Sequence, residues 1–454
     1  MKALLFIPIL LVLIRNNTAI AQTKLQEFCF DKDTGNIHIT SGTPFFKVEL
    51  DQDWINSKMN EDRDYTMGLN IQFSLPSEKI EIKRSQLREK LWAKKGTKEE
   101  QIPFLYTFSK YRPQTLILNT QWSFSIKGMA FTPDNLKTQA IITTDRPFAG
   151  VTTFGVTRST MILPIISNIR TVEKKIIINS FKHTPATVKI KYKGPIRQSS
   201  FSFSPGFMGT NFYRDLQGYI HKLGNPTYKD TINGVNPFYP FGWKNQISKN
   251  GTFTLLMQYS MNWLLTRQYF LTTYQYTVNK KGYADGQIHR IPWYQRFIEV
   301  SANTGGSIGY YNALSANIQL RAGRINPLKW MNSLNTLNNS NYSANITHKP
   351  NIADNFKGME LFVYANLGGH AMFYNALLRG QIINQIRGID DPYVLSASQI
   401  RPLFYDFNCG VGLTINRFQL YYAPYVFRSS EVKLKDISER KQYWGKIGLY
   451  INLN

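Results

Sequence analysis

The chain has 454 residues, of which 43% are hydrophobic, 14% aromatic and only 18% charged, with a mean hydropathy of −0.30; it is too apolar for a disordered protein and too rich in Gly, Asn and Thr for a helical bundle. Lys and Arg number 54 against 29 Asp and Glu, a net +25 that points to an acidic partner such as nucleic acid, anionic lipid or phosphorylated glycan. Two cysteines, Cys29 and Cys409, are too few for a disulfide framework or a thiolate metal site.

Lys2 precedes an apolar run over residues 3–14 (ALLFIPILLVLI), and Ala19-Ile20-Ala21 offers a small-x-small cleavage site before Gln22. The run is shorter than the ~20 residues a membrane-spanning helix needs, so 1–21 reads as an export signal and 22–454 as one mature unit. No cysteine directly follows the cleavage site, where Gln22 stands, which argues against a lipoprotein. Loss of Lys2 and Arg15 leaves +23 on the mature chain. Export removes nucleic acid from the partner classes and leaves anionic lipid or glycan phosphate.

Residues 47–68 (KVELDQDWINSKMNEDRDYTMG) place Asp51, Asp53, Asp62 and Asp64 around a strand–loop–strand unit. Such carboxylates suit a hard cation such as Ca²⁺, and equally a merely soluble loop. In 66–75, Met67, Leu69, Ile71, Phe73 and Leu75 alternate with Gly68, Asn70, Gln72 and Ser74, the period of a strand. The charged stretch 80–101 breaks the pattern as a solvated loop or short helix, with a lipopolysaccharide phosphate contact as the alternative. Residues 131–150 run from a strand end through a loop, seated by Asp145-Arg146-Pro147, into the next strand.

Within 206–247, Thr210 or Asn211 can cap a helix over 212–223 that Gly224 stops. Phe212, Leu216, Tyr219 or Ile220, and Leu223 form its apolar stripe; Gln217 and His221, four apart, share the neighbouring face with Arg214. Alternation returns in 252–263, with Leu256 the exception, and in 315–322, 407–416 and the final residues, where Ile447, Leu449, Ile451 and Leu453 take one face. Gly305-Gly306 and Asn416-Arg417 read as tight turns, and 335–352 as a long polar loop.

Such strands suit a soluble sandwich or a membrane barrel. The barrel is favoured by polar faces that suit a wet lumen, and by aromatics at strand ends (Trp293, Tyr294, Tyr421, Tyr422, Tyr425, Phe427) that suit interface girdles. Short turns set against long loops, and an alternating strand at the carboxyl end, point the same way. The fold class is therefore all-β: a transmembrane antiparallel β-barrel, closed because every backbone group in lipid must be paired.

Several segments, in order, resemble the lipid A 3-O-deacylase family of outer-membrane proteins. They are the acidic strand end before Asp62-Arg63-Asp64-Tyr65-Thr66-Met67-Gly68, then Phe131-Thr132-Pro133 leading to Asp145-Arg146-Pro147-Phe148-Ala149-Gly150. Gln217-x-x-x-His221, Gly242-Trp243-Lys244-Asn245-Gln246, and Ala302-Asn303-Thr304-Gly305 leading to Arg321-Ala322-Gly323 follow. The resemblance implies a twelve-stranded barrel with a short helix in an extracellular loop and the active site between that helix and the wall, near the outer leaflet. It implies Ca²⁺-dependent hydrolysis of the 3'-linked acyloxyacyl ester of lipid A, the substrate within lipopolysaccharide, by a monomer of the outer membrane with no nucleic-acid partner. It makes His221 the general base, with Gln217 and Thr66 beside it, and Lys137 a substrate contact. The family's Asn-Asp cation pair corresponds to Leu50-Asp51 or to Gln52-Asp53; the latter is preferred because Gln52 can supply a similar amide oxygen. The family's glutamate shortly after the histidine has no counterpart in 222–229 (KLGNPTYK).

These residues permit direct attack by water, with a neutral imidazole as base and Ca²⁺ as Lewis acid. A serine hydrolase is the rival enzyme, because Gly305-Gly306-Ser307-Ile308-Gly309 fits G-x-S-x-G, although that motif works at a strand-to-helix elbow. A porin or adhesin barrel without chemistry is the rival of another class.

Overall fold

A computed structural model describes residues 28–31, 36–39, 44–52, 55, 64–76, 115–136, 138–164, 186–193, 196–224, 240–266, 269–276, 287–290, 297–325, 329–331, 343–345, 359–415, 418–434 and 441–453. Twelve strands, each antiparallel to its neighbours, close into a barrel. In chain order they are β1 (Phe45–Gln52), β2 (Asp64–Pro76), β3 (Thr115–Thr132), β4 (Ala149–Pro164), β5 (Ile196–Met208) and β6 (Thr252–Leu264), followed by β7 (Ile298–Gly309), β8 (Tyr311–Arg324), β9 (Met359–Asn375), β10 (Leu403–Ile415), β11 (Phe418–Arg428) and β12 (Gln442–Asn452). Closure is made by β12 on β1, with Ile447 opposite Leu50, so no edge is left open. No described helix is long and apolar enough to cross a membrane.

The period-two pattern sorts the side chains as the sequence reading expects. Phe73, Phe124, Phe154, Phe203, Tyr259, Ile318 and Leu367 are exposed on the outer wall, while Asn70, Gln72, Gln121, Ser200, Asn262 and Asn366 are buried inside. Leu256, the exception in the β6 pattern, is likewise buried. The lumen differs from the expected wet channel. Long side chains fill it: Lys47, Arg321 and Tyr421 are all fully buried. Their charges are matched in place, since Glu49 takes ion pairs from Lys47 (2.5 Å) and Lys446 (3.4 Å) and a hydrogen bond from Tyr421, and Arg321 pairs with Glu299 at 2.7 Å. A cation so deeply buried is tolerated only when paired in this way.

Because the strand number is even, the start of β1 and the end of β12 lie at one rim. That rim also carries the connections 77–114, 165–195, 265–297 and 325–358. The other rim carries 53–63, 133–148, 209–251, Tyr310, 376–402 and 429–441. Here lie helix α1 (Phe212–Gly224) and, in 376–402, α2 (Ala376–Arg379) and α3 (Ile382–Ile386). Leu378, Leu395, Ile400, Val432 and Leu434 pack on Ala313, Met372 and Phe404, so this segment roofs the lumen.

Three local readings are corrected. Gly305 and Gly306 lie inside β7; the reversal falls at Gly309 (φ +135°), whose N–H donates to Asn312 Oδ1 at 2.6 Å. Tyr421 belongs to the lumen and not to a girdle, because Glu49 draws its hydroxyl inward, whereas Tyr422 and Tyr425 are exposed outside. Ser307 is buried on a strand, so the G-x-S-x-G match has no elbow. Residues 1–21, 80–101, Trp293, Tyr294, Asn416-Arg417 and all of 335–352 except 343–345 lie outside the described residues.

Candidate active site

The chain leaves β5 at Met208, turns at Gly209 (φ +76°), whose N–H donates to Gly150 O at 2.9 Å, and enters α1 at Phe212. The first buried residue of the helix, Tyr213, fixes it to the outside of the wall. Gly128 and Gly150 fall in the outward register of exposed Ile126 and Phe154, and a β-carbon at either would collide with the Tyr213 side chain. Two missing side chains thus make the floor on which the ring lies. The Tyr213 hydroxyl donates to Val151 O at 2.5 Å and lies 3.0 Å from Thr152 Oγ1. Burial pushes this phenol up to about 12, so it stays a donor.

A second layer covers the helix. The 3₁₀ turn Phe241–Asn245 lays Trp243 over Tyr213 with the rings 19° apart and centroids at 6.3 Å, and against Phe148 at 5.3 Å. Met67 and Ala130 complete this outer cluster. The turn is strapped to the β3–β4 connection: Gly242 N–H donates to Leu136 O (3.1 Å), Ile247 N–H to Phe148 O (2.9 Å), and Lys244 Nζ to Gln139 Oε1 (3.0 Å). Beneath it, Asp145 accepts from the backbone N–H of Asp134 (2.9 Å) and Arg146 (2.6 Å), and the Arg146 guanidinium lies 4.4 Å from the Phe131 ring centroid, the loop seat that the sequence suggests.

Gln217 follows Tyr213 by one helical turn and is 3% exposed. Trp243 Nε1 donates to its Oε1 at 2.6 Å. An indole N–H only donates, so the acceptor must be the amide oxygen, and the Nε2 donors are left facing away from Trp243. That Nε2 is buried and has no hydrogen-bond partner among the described residues. A buried amide donor held in this way is available to a substrate, a catalytic side chain or a water. His221 follows one turn further on the same helical face; its side chain lies outside the described residues.

Of the residues in the two cation-pair alignments, Asp51 and Gln52 are described, and they point to opposite sides of the wall. Asp51 is opposite Gly68 and inside the barrel, with its carboxylate 3.8 Å from Lys446 Nζ. Gln52 is opposite Met67, a member of the outer cluster that holds Tyr213 and Trp243. Asp53 and Lys137 lie outside the described residues, as does the side chain of Thr66, whose backbone forms the bulge between Tyr65 and Met67. Among the described residues no three or more His, Cys, Asp or Glu converge.

Sequence reasoning missed the buried face of α1. Phe212 and Tyr219, assigned to the packed stripe, are 52% and 54% exposed, and Leu216 is half-buried. The glycine floor and the Trp243 hydrogen bond choose which face docks. Apolar moment alone misleads where the surroundings need not be water. The readable signals were the Gly-Trp motif at 242–243 and the outward glycines of β3 and β4.

The sequence profile of the family described as outer membrane protein LpxR matches residues 5–162 and 214–453. Among solved structures, LpxR from Salmonella typhimurium superposes with a TM-score of 0.50 at 12% identity, over 90% of this chain and 99% of that one. The translocator domain of autotransporter NalP from Neisseria meningitidis gives a TM-score of 0.28 at 8% identity, over 90% and 88% of the two chains. The β domain of the Bordetella autotransporter BrkA gives 0.33 at 8%, over 91% and 99%. A search of curated protein sequences finds no match.

Proposed function

The chain belongs to the LpxR family of outer-membrane proteins, and on that premise we propose that it hydrolyses the 3'-linked acyloxyacyl ester of lipid A at the outer face of its barrel wall, with His221 as general base. The observation that carries this reading is Gln217: a buried amide, clamped by Trp243, whose Nε2 has no hydrogen-bond partner among the described residues, one helical turn before a histidine. The roofed, side-chain-filled lumen argues against a porin, and the burial of Ser307 within β7 argues against a serine nucleophile.

In this mechanism the His221 imidazole takes a proton from water as the water oxygen attacks the ester carbonyl. The tetrahedral intermediate collapses with cleavage of the bond to the sugar oxygen, and the imidazolium returns the proton to that oxygen. The products are a free acyloxyacyl fatty acid and a 3'-hydroxyl. Gln217 orients the imidazole or donates to the developing oxyanion, Thr66 lines the water side, and Lys137 meets a lipid phosphate.

The donors at hand fit a hard cation. Gln52 offers an amide oxygen on the outer register and Asp64 opens the facing strand, while Asp53 and Asp62 stand beside them in sequence as further carboxylates. Gln217 does not join them, since its oxygen is engaged by Trp243. Bound there, Ca²⁺ supplies the Lewis acid that polarises the ester carbonyl.

Mass spectrometry of lipid A from cells expressing the protein tests the reading. Loss of the 3'-acyloxyacyl group, abolished by His221→Ala and, in the purified protein, by chelation, is expected. Unchanged lipid A, or normal turnover by His221→Ala, would refute it.

A further inference from the structure

Segment 376–402 is apolar on two sides. Its inner residues Leu377, Leu378 and Leu395 seal the lumen, but Ile382, Ile383 and Ile386 of α3 are exposed, and Ile389 and Val394 follow them. Ile386 is 79% exposed and Ile389 51%. Leaving an isoleucine in water is unfavourable relative to an apolar setting, so four within eight residues call for a partner.

These residues have no route inward, because the polar side of α3 is pinned to the rim. Asn384 Nδ2 donates to Ser248 Oγ at 3.1 Å, Thr252 Oγ1 to Asn384 Oδ1 at 3.3 Å, and Gln381 Nε2 to Thr252 O at 3.4 Å. Thr252 begins β6, and its neighbour Phe253 is exposed on the outer wall, as are Ile308, Phe373 and Leu403 at the same ends of β7, β9 and β10. The α3 patch is therefore continuous with the lipid-facing belt of an outer-membrane barrel. Exposed Arg387 closes the helix.

We propose that α3 is an interfacial anchor: Ile382, Ile383, Ile386 and Ile389 seat in the acyl layer of the leaflet around the α1 rim, with Arg387 at the level of its phosphates. That this leaflet is the outer, lipid A-bearing one rests on the function proposed above; the seating of α3 among acyl chains does not. The anchor also braces the site. Ser248, held by Asn384 and, through its N–H, by Asp391 Oδ1 at 2.5 Å, lies on the strap that carries Trp243 to Gln217.

The test places a bimane label on Ile386→Cys in a Cys29→Ser, Cys409→Ser background, with the full chain in phosphatidylcholine vesicles doped with lipid A. Label on Ile318→Cys reports the lipid-facing wall, and label on Ser398→Cys the exposed surface of the roof segment. Dibrominated acyl chains should quench the Ile386 label as strongly as the Ile318 label, and iodide should quench it about fivefold less than the Ser398 label. Ile389→Cys should repeat the pattern. Iodide access equal to that of Ser398 would overturn the proposal, and so would shielding from both quenchers, which would mean a protein contact such as a second copy. The readout does not use turnover, so an inactive protein with a lipid-quenched label would refute the deacylase reading and leave the anchor standing.

Discussion

Trp243→Phe isolates the contact on which the site is built. Phenylalanine keeps a ring against Tyr213 and Phe148, whose centroids lie 6.3 and 5.3 Å from the indole, and removes the N–H that holds Gln217 Oε1 at 2.6 Å together with part of the indole's bulk. A buried amide oxygen left without its donor costs ~1–3 kcal/mol. The amide escapes that cost by rotating, which carries its Nε2 donors out of the site. If those donors act at His221 or on the reacting ester, the whole cost falls on the barrier, and kcat drops by about 5- to 150-fold with KM little changed. The assay is release of acyloxyacyl fatty acid from lipid A in mixed micelles, followed by mass spectrometry. Gln217→Met removes the amide oxygen and its Nε2 donors together, so the indole N–H has nothing left to hold and Trp243→Phe on top of Gln217→Met should add little through this contact. Unchanged kcat in Trp243→Phe, or full additivity in the double variant, would show that the indole does not act through Gln217.

Other outcomes follow from the same geometry. Gly150→Ala drives a methyl group into the Tyr213 ring, and an overpacked contact of that kind costs ~1–3 kcal/mol; amide exchange of α1 should quicken and turnover fall while the barrel strands stay protected. Asp53→Asn should abolish stimulation by calcium. Asp51→Asn should leave that stimulation intact and lower only thermal stability, because Asp51 faces Lys446 inside the barrel. The Tyr213 phenol, raised from 10.0 to about 12, favours docking of α1 at every pH below 10. That contribution, ~3 kcal/mol, is lost as pH climbs from 10 towards 12, and Tyr213→Phe should flatten the loss as read by exchange or thermal melting.

Alternation made the barrel legible because a membrane wall has two unlike faces, and the twelve closed strands agree with what the family resemblance implies. Residues set by non-local partners were not legible. Tyr421 reads as one more rim aromatic until Glu49, on a strand 372 residues earlier in the chain, is seen to hold it in the lumen. Gly305-Gly306 reads as a turn, yet turn residues inside a strand keep their pairing when neighbours on both sides hold the register. At the site, Gln217 and its helix were visible from spacing. Its orientation was not, because it depends on an indole 26 residues away and on glycines of two other strands.

The net charge of +25 also changes meaning once the strands are placed. Inside the barrel, Lys47, Lys127, Lys446 and Arg321 are matched by Glu49, Asp51, Glu299 and Glu360, so the lumen adds nothing to the excess. The connections 77–114, 165–195, 265–297 and 325–358, on the rim where β1 starts and β12 ends, hold 25 Lys and Arg against 8 Asp and Glu. The rim of α1 and the roof segment holds 16 against 12 over 53–63, 133–148, 209–251, 376–402 and 429–441. The basic character that suggested an acidic partner is thus concentrated away from the site. Capture of lipid A should then rest on lateral apolar contact and a few lysines, with little long-range steering. At high salt, exposed charges more than about 3 Å apart are screened. Turnover between 50 and 500 mM salt should accordingly change by no more than about threefold, because few unmatched charges lie near the site to be screened. A fall of about a hundredfold over that range would mean that charge brings the substrate to this rim, and that the asymmetry of the loops has been misjudged.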